Sequence, residues 1–354
     1  MKKILFITNN QFGYSTDYYK YCEYLRDRYD VYYLCFNKNL DIINLEGVKV
    51  KYVNYNGPKL LRGLRFLLNA LKVLLCFKGI VFIFYFKGFN LFKLILPYKK
   101  MHLDIRTLSV NKDIDLRNKE NDKIRNAAKL FDSVSAISNG VIEELNLNKK
   151  VHLLPLGADV MSDSEKNFDN LDLLYVGTLV GRDIIKTVEA VNLFKSKHPD
   201  TCIHYDIIGV GDNESEEIRK YIEDNKLSKI IQFYGRIPHT KLKPFFEKNN
   251  IGVSFVPIKP YYENQPPTKT FEYAFSGLYS IATRTFANTE IINDDNGILI
   301  EDSKDDFVRA LENISENHKN INSSIIRNSV QHYSWLSIVD NYLEPILNEI
   351  KQVS

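Results

Sequence analysis

Residues 173–177 read Leu-Leu-Tyr-Val-Gly, and residues 203–211 read Ile-His-Tyr-Asp-Ile-Ile-Gly-Val-Gly. Between them Ile184 to Lys195 repeats its apolar residues at helical spacing. Two short strand-like runs rich in β-branched and aromatic residues, each closed by glycine and joined through one helix, are the pattern of parallel strands linked by a crossover. The alternation continues downstream. A helix is predicted over Glu214–Asn225, a strand over Ile231–Tyr234, a short helix over Leu242–Glu247 and a strand over Ile251–Val256. A helix over Thr268–Ser276, strands over Tyr279–Ala282 and Gly297–Ile300, and a helix from Asp305 complete this half.

The chain before residue 160 has the same rhythm. Ile4–Thr8 reads as a strand, Asn9–Ser15 as a polar turn, and Tyr18, Tyr21, Cys22 and Leu25 as one helix face. Strands follow over Val31–Phe36, Val48–Tyr52, Ile80–Phe86, Met101–Ile105 and Ser133–Ile137, with a polar helix over about Lys119–Leu130, and Val151–Leu154 closes the series. Strands alternating with helices predict an α/β fold of two Rossmann-like, doubly wound parallel-sheet domains. The N-terminal domain spans 1–160 and the C-terminal domain 171–335. The polar, acidic stretch Met161–Asn170 reads as the linker, and the last helix, about 336–354, packs back on the first domain.

The bulk numbers fit this plan. A chain of 354 residues is too long for one ordinary core. A net charge of +3 lacks the basic excess that nucleic-acid binding needs, so no nucleic-acid partner is expected. Cys22, Cys35, Cys76 and Cys202 form no CxxC pair and no Cys/His cluster. They read as reduced and mostly buried, which points to the cytoplasm. The N-terminus MKKILFITNN has too short an apolar run for a signal peptide. Phe66–Phe86 has the length of a membrane span, about 20 residues, but Lys72 and Lys78 interrupt it. Within it and just before it, Leu60, Leu61, Leu64, Leu67, Leu68, Leu71, Leu74 and Leu75 form one helical stripe, with Arg62, Arg65, Asn69 and Lys72 beside it. The basic run continues through Lys78, Lys87, Lys93, Lys99 and Lys100. The segment 58–101 therefore reads either as an ordinary domain helix with its leucines on the sheet or as a membrane-surface element, on the inner face of the plasma membrane.

In an open α/β sheet, ligands bind outside the carboxyl ends of the strands. The richest stretch at such an end is residues 257–277, PIKPYYENQPPTKTFEYAFSG. Pro266-Pro267-Thr268 marks a helix start where proline is tolerated and Thr268 can cap. The bare N–H groups of a first helical turn attract anions, Lys269 adds a charge, and Glu272 can accept hydrogen bonds from a ribose diol. The plainer reading of Lys269 and Glu272 is an i,i+3 surface ion pair. In the first half, His102, Asp104 and Arg106 alternate along one strand face, with Asp104 and Arg106 nearest its C-terminal end. Those two serve acceptor or leaving-group contacts, or form a structural pair under the loop. Asp113-Ile114-Asp115 spells a D-x-D within a polar loop, Asn111–Asn121, and is taken as a chance match rather than a metal site.

The string Lys269-x-x-Glu272-Tyr273-x-x-x-Gly277-x-x-x-Ile281-Ala282-Thr283 resembles the donor-site motif of the retaining family-4 glycosyltransferases of GT-B fold. Tyr175–Thr178, Ile207–Gly211, Phe233–Pro238, Asn250–Val253 and Asn296–Leu299 follow in the family's order, as do Ala136–Asn139 and Leu154–Asp159 upstream. The resemblance implies two domains facing a central cleft and transfer of a sugar from a UDP- or GDP-sugar to a glycan or polyprenyl-diphosphate-linked acceptor, with retention and with no metal or other cofactor. If segment 58–101 is a membrane-surface element, the acceptor is lipid-linked, as for enzymes that build bacterial surface polysaccharide. By it, Glu272 binds the ribose, while Lys269 and Arg182 neutralise the diphosphate. Arg236 and Ile237 frame the base. Asn264, Gln265 and Thr268 line the diphosphate and sugar, with Gly177, Thr178 and Gly209 at the strand ends. Gly13 and Ser138 belong to the acceptor-side loops. The sequence departs from the family in having Asn264 where a first glutamate often stands, Thr178-Leu179 where a basic residue is usual, and a single glycine, Gly13, in the first loop. Two rivals remain at this stage: a sugar-nucleotide epimerase of the same fold, and a non-catalytic nucleotide-sugar-binding partner protein.

Overall fold

The computed structural model describes residues 1–352. The chain divides into two compact units, one made of Met1–Gly157 with the chain from Trp335 onward, the other of Ala158–Ser334.

The first unit holds a sheet of β1 (Lys2–Ile7), β2 (Tyr29–Asn37), β3 (Val48–Asn54), β4 (Ile80–Phe84), β5 (His102–Ile105), β6 (Ser133–Ala136) and β7 (His152–Leu153). Its order is β3-β2-β1-β4-β5-β6-β7, and every pairing is parallel. Ile80 to Phe84 is buried throughout, as a strand covered on both faces requires. The helices are α1 (Thr16–Leu25), α2 (Lys59–Cys76), α3 (Asn90–Ile95), α4 (Ile114–Ala128) and α5 (Asn139–Leu145).

The second unit holds β8 (Leu171–Val176), β9 (Ile203–Ile208), β10 (Ile231–Gly235), β11 (Ile251–Ser254), β12 (Tyr279–Thr283) and β13 (Gly297–Ile300), in the order β10-β9-β8-β11-β12-β13. Around it lie α6 (Ile185–Lys197), α7 (Asp212–Asp224), α8 (Lys243–Lys248), α9 (Thr268–Phe275), α10 (Phe286–Thr289), α11 (Lys304–Asn317) and α12 (Ser323–Ser329). The two parallel sheets are those the alternating pattern predicts. In each, the strand order reverses beside the first strand, between β1 and β4 and between β8 and β11, which is where an open sheet leaves a crevice.

Several local expectations give way. Residues 161–170 are no free tether, because the Met161 amide donates to Ser276 Oγ (3.1 Å), the Lys166 ammonium donates to the Phe246 carbonyl, and Glu165 accepts from Ser323. α4 starts at Ile114 rather than near Lys119, since Asp113 caps it by accepting the Leu116 amide at 2.9 Å. Asp113 of the D-x-D is thus a helix cap and not part of a loop. Cys22 and Cys35 are buried, but Cys76 and Cys202 are exposed. The final helix is broken: α13 (Trp335–Ile338) passes through a π-turn, Val339–Leu343, into α14 (Glu344–Gln352). It closes on the first unit through a buried Trp335 lying against Tyr21 and through Arg28–Asp340 and Lys150–Glu349 ion pairs.

Most of the leucines of α2 do not face the sheet. Phe66, Ala70 and Leu74 are its buried residues, while Leu60, Leu61, Leu64, Leu68 and Leu75 are exposed. Nor do its arginines turn freely to solvent. Arg62 stacks on the Tyr55 ring, and Arg65 donates to the carbonyls of Asn54 and Asn56. Among the described residues no helix is long and apolar enough to cross a membrane.

Candidate functional site

A cavity of about 400 Å³ opens in the second unit at the reversal between β8 and β11. Its walls come from the end of β8 (Tyr175, Val176, Gly177, Thr178), from Arg182, and from the stretch Tyr262–Glu272 that leads into α9.

The start of α9 is held from three sides. Tyr273, fully buried, accepts the Val176 amide at 2.9 Å on its hydroxyl oxygen and so ties the helix to β8. The ring fits because residue 252 is glycine: a Cβ there would meet Tyr273 Cγ at 2.3 Å. Beneath the helix, Thr270 Oγ1 shares a hydrogen bond with Ser254 Oγ (2.6 Å) and donates to Asn288 Oδ1 (3.1 Å). At the other end Gly277, at φ +75°, lets Leu278 N donate to Tyr273 O and Gly277 N to Ala274 O, a Schellman stop.

The first turn of α9 has no side-chain cap. Pro267 occupies the cap position, with no hydrogen bond to offer, so Thr268 is the first helical residue and not the cap. The Thr268 and Lys269 amides therefore have no acceptor within the helix, and they carry the positive end of its dipole. Lys269 Nζ lies 4.0 Å from the centroid of the Tyr175 ring. Burial, and then the charge of Arg182, push Lys269 well below the usual lysine range. Arg182 lies over Tyr262 at 4.1 Å, and its buried Nη1 has no hydrogen-bond partner. Two cations thus converge on one cavity, against ring faces and without a carboxylate between them. Such an arrangement lacks an anion.

The Lys269–Glu272 surface ion pair does not form. Glu272 instead lies 3.5 Å from His239 Nε2 and lines the cavity. That hydrogen bond raises the His239 pKa above its ordinary 6.5. Backbone openings at the strand ends complete the wall. Gly177 sits at φ +149°, and the Tyr175 hydroxyl donates to the Thr178 carbonyl at 2.5 Å.

Of the residues the sequence singles out, Lys269, Arg182, Glu272, Gln265, Thr268, Gly177 and Thr178 line this cavity. Gly209 stands behind it, where a Cβ would meet the Gly177 carbonyl at 2.1 Å. Asn264, Arg236 and Ile237 are not among its walls: Arg236 is exposed at the turn after β10, and Ile237 packs on the small core of Leu174, Leu242 and Phe246. The neighbouring Glu263 caps α10 through the Phe286 amide at 2.8 Å. Tyr175, present in a matched string but given no role there, and Tyr262, which no motif marks, supply the rings beneath both cations. Their signal is only an aromatic at a strand end and one before a proline pair.

The first-unit candidates are arranged differently. Asp104 is fully buried, accepts from Ser135 Oγ at 2.5 Å, and is driven by burial up to a pKa of about 6 despite Arg106. Ser135 also bonds His102, which burial keeps neutral. Arg106 donates to Asp17 (2.8 Å) and to the Leu154 carbonyl (2.6 Å), clamping α1 and the chain after β7 to β5. Ser138 caps α5 by accepting the Val141 amide. Gly13 turns at φ +88°, where a side chain would strike Ile43. Among the described residues no group of three or more His, Cys, Asp or Glu could hold a metal ion.

Residues 170–317, within the second unit, match the family model described as Glycosyl transferases group 1. A curated relative in Arabidopsis thaliana, a component of phosphatidylinositol N-acetylglucosaminyltransferase, is 22% identical over a 203-residue alignment that covers 53% of this chain and 42% of that protein. The match thus spans less than half the length of this relative. Among solved structures, a sucrose-phosphate synthase from Thermosynechococcus elongatus superposes with a TM-score of 0.78 at 15% identity, over 100% of both chains. The Anabaena protein HepE, in complex with UDP and glucose, gives 0.74 at 12% identity, over 99% of this chain and 100% of that one. These likenesses show the fold, two Rossmann-like units of GT-B type.

Proposed function

We propose that this protein is a retaining glycosyltransferase that takes a sugar from a nucleotide-diphosphate donor, with the donor held in the second-unit cavity. The observation that carries this reading is the pair Lys269 and Arg182, both aimed with the uncapped start of α9 into one cavity, with Glu272 on its wall. The diphosphate is the anion this pair lacks, and Glu272 accepts from the ribose hydroxyls. UDP is the first nucleotide to test, because HepE, of like fold, holds UDP. Retention and the acceptor, a glycan or lipid-linked glycan of bacterial surface polysaccharide synthesis, rest on the motif resemblance. The outward leucines of α2 favour work at the inner face of a membrane.

In the transfer, the bond from sugar C1 to the diphosphate oxygen breaks and a bond from C1 to an acceptor hydroxyl oxygen forms. The hydroxyl proton leaves with the nucleoside diphosphate. Negative charge grows on the leaving oxygen, and Lys269, Arg182 and the α9 amides already face it, so stabilisation needs no rearrangement. The test is thermal shift against a panel of UDP- and GDP-sugars, followed by release of UDP or GDP, with Glu272→Gln alongside. A ligand at 100 times its dissociation constant adds about 2.7 kcal/mol. Saturable stabilisation that falls in Glu272→Gln supports the reading. Stabilisation by none of the panel, or by sugars lacking the nucleotide, overturns it.

A further inference from the structure

We propose that His239 is a positioning residue for the donor nucleoside: from outside the second-unit cavity it holds one oxygen of Glu272, so that the carboxylate meets both ribose hydroxyls and the site selects a ribonucleotide over its deoxy form. The proposal rests on the donor reading of the cavity and adds a residue which that reading does not use.

Glu272 lines the cavity, and His239 does not. Nε2 of His239 lies 3.5 Å from Glu272 Oε1. The imidazole thus reaches the carboxylate from a side that the ligand space does not occupy. Lys269 cannot hold Glu272 in its place, because its ammonium lies on the Tyr175 ring. Among the described residues no other ion pair reaches Glu272. A glutamate left unheld would lose its rotamer freedom when the ligand arrives, and a partner that fixes it beforehand removes that cost. The partner is cationic for a local reason. The bond to Glu272 first, and the charge of Asp159 as a lesser cause, outweigh burial and raise His239 above its ordinary 6.5. Holding Glu272 does not use it up, since each carboxylate oxygen has two acceptor sites and Oε1 can serve the imidazole and a hydroxyl together.

The two groups stand on one frame. His239 opens a short turn, His239–Lys241, closed by the Lys241 amide donating to the Pro238 carbonyl (2.8 Å) and the Leu242 amide donating to the His239 carbonyl (3.1 Å). Leu242 is buried in the same small core as Tyr273, the residue that follows Glu272 on α9. The turn and the helix therefore share one packed layer, which fixes the reach from His239 to Glu272.

Exposure decides what the pair is for. The His239 side chain is 65% exposed and that of Glu272 17%. An ion pair this open to water adds little to folding. Its effect falls instead on the direction of the carboxylate. Two vicinal hydroxyls need both Glu272 oxygens in reach at once, and a carboxylate turned aside keeps only one of the two bonds.

The experiment titrates the full chain, His239→Ala and His239→Gln with three probes by calorimetry. These are UDP, dideoxyuridine diphosphate, which lacks both ribose hydroxyls, and inorganic pyrophosphate, which lacks the nucleoside. The wild type should prefer UDP to the dideoxy form by about tenfold or more, the worth of hydrogen bonds to a charged group. His239→Ala should cut that preference to about threefold or less, through weaker UDP binding alone, with the other two probes unmoved. His239→Gln, whose side-chain amide reaches to where Nε2 lies, should restore the preference. Tm should move by less than about 2 °C in either variant, which separates positioning from a folding defect. A preference for UDP unchanged in His239→Ala overturns the proposal and leaves the donor site standing. Equal weakening of all three probes, or His239→Gln behaving as His239→Ala, also overturns it. A wild type that binds pyrophosphate with no preference for UDP overturns the donor reading itself, and the proposal with it.

Discussion

Replacing Lys269 by methionine should make the protein more stable and a worse binder of nucleotide. The ammonium lies 4.0 Å from the Tyr175 ring, beside Arg182, with no carboxylate among the described residues near enough to pair. Methionine keeps the length and apolar body of the side chain and drops the charge. The variant loses a cation–π contact worth about 0.5–2 kcal/mol. It gains relief from desolvation, whose effective cost is several kcal/mol per buried ion, and from Arg182. The balance should be about 1 kcal/mol in favour of the variant, or about 2–4 °C in Tm for a unit of this size. The pH dependence carries a sign as well. A lysine whose folded pKa is depressed binds fewer protons folded than unfolded, so wild-type stability rises with pH toward the ordinary 10.5. That rise should be missing in Lys269→Met. Removing one member of a buried charge pair costs about 2–5 kcal/mol, so UDP affinity should fall by about 30-fold or more. Differential scanning fluorimetry and calorimetry with UDP measure both quantities on one sample. A lower Tm with UDP affinity changed by less than about threefold would make Lys269 a structural cation and refute the reasoning.

Three further outcomes follow from the same geometry. Glu272→Gln should weaken UDP binding about tenfold while bringing the His239 pKa back down toward 6.5, read by NMR titration; an unmoved His239 would deny the 3.5 Å contact. Gly209→Ala sets a Cβ 2.1 Å from the Gly177 carbonyl, so urea unfolding should show a loss of about 1–3 kcal/mol together with weaker UDP binding, and retained affinity would separate that turn from the site. Asp206, fully buried, is held down to about 2 because bonds to His204 and Asn249 and the charge of Lys248 outweigh burial. Its contribution is present above the ordinary 3.8 and is lost as pH falls toward 2, so Asp206→Asn should cost about 2 kcal/mol at pH 7 and progressively less below pH 4, by denaturant unfolding at each pH.

The sheets were legible because burial on both faces leaves an unmistakable record. Ile4 to Ile7 and Ile80 to Phe84 are apolar runs too short for helices, and both are strands. Of the short helices, α8 was legible and most others were not. α3, α5, α10 and α12 are all under eight residues, and their apolar residues make barely one turn of pattern. Asp113 illustrates a different limit: in sequence a D-x-D and an N-cap look alike, and only the Leu116 amide at 2.9 Å decides between them.

The donor cavity and the leucine helix fail to be legible for opposite reasons. At the cavity, spacing located Lys269 and Glu272 on one helix, but an i,i+3 acid–base pair looks the same whether it closes on itself or opens onto a ligand. What separates the cases is the environment that Tyr175 and Tyr262 create: each cation lies on a ring face, Glu272 is drawn to His239, and no internal anion is left to satisfy the site. At α2 the periodicity was plain, yet periodicity gives only the width of an apolar stripe and never its direction. Phe66, Ala70 and Leu74, outside the exposed leucine arc, form the buried face, because Phe66 packs on Phe36 at 4.5 Å and fixes the roll of the helix. A single aromatic contact therefore decides that the leucines look outward, and with that orientation the basic segment acquires a surface to present.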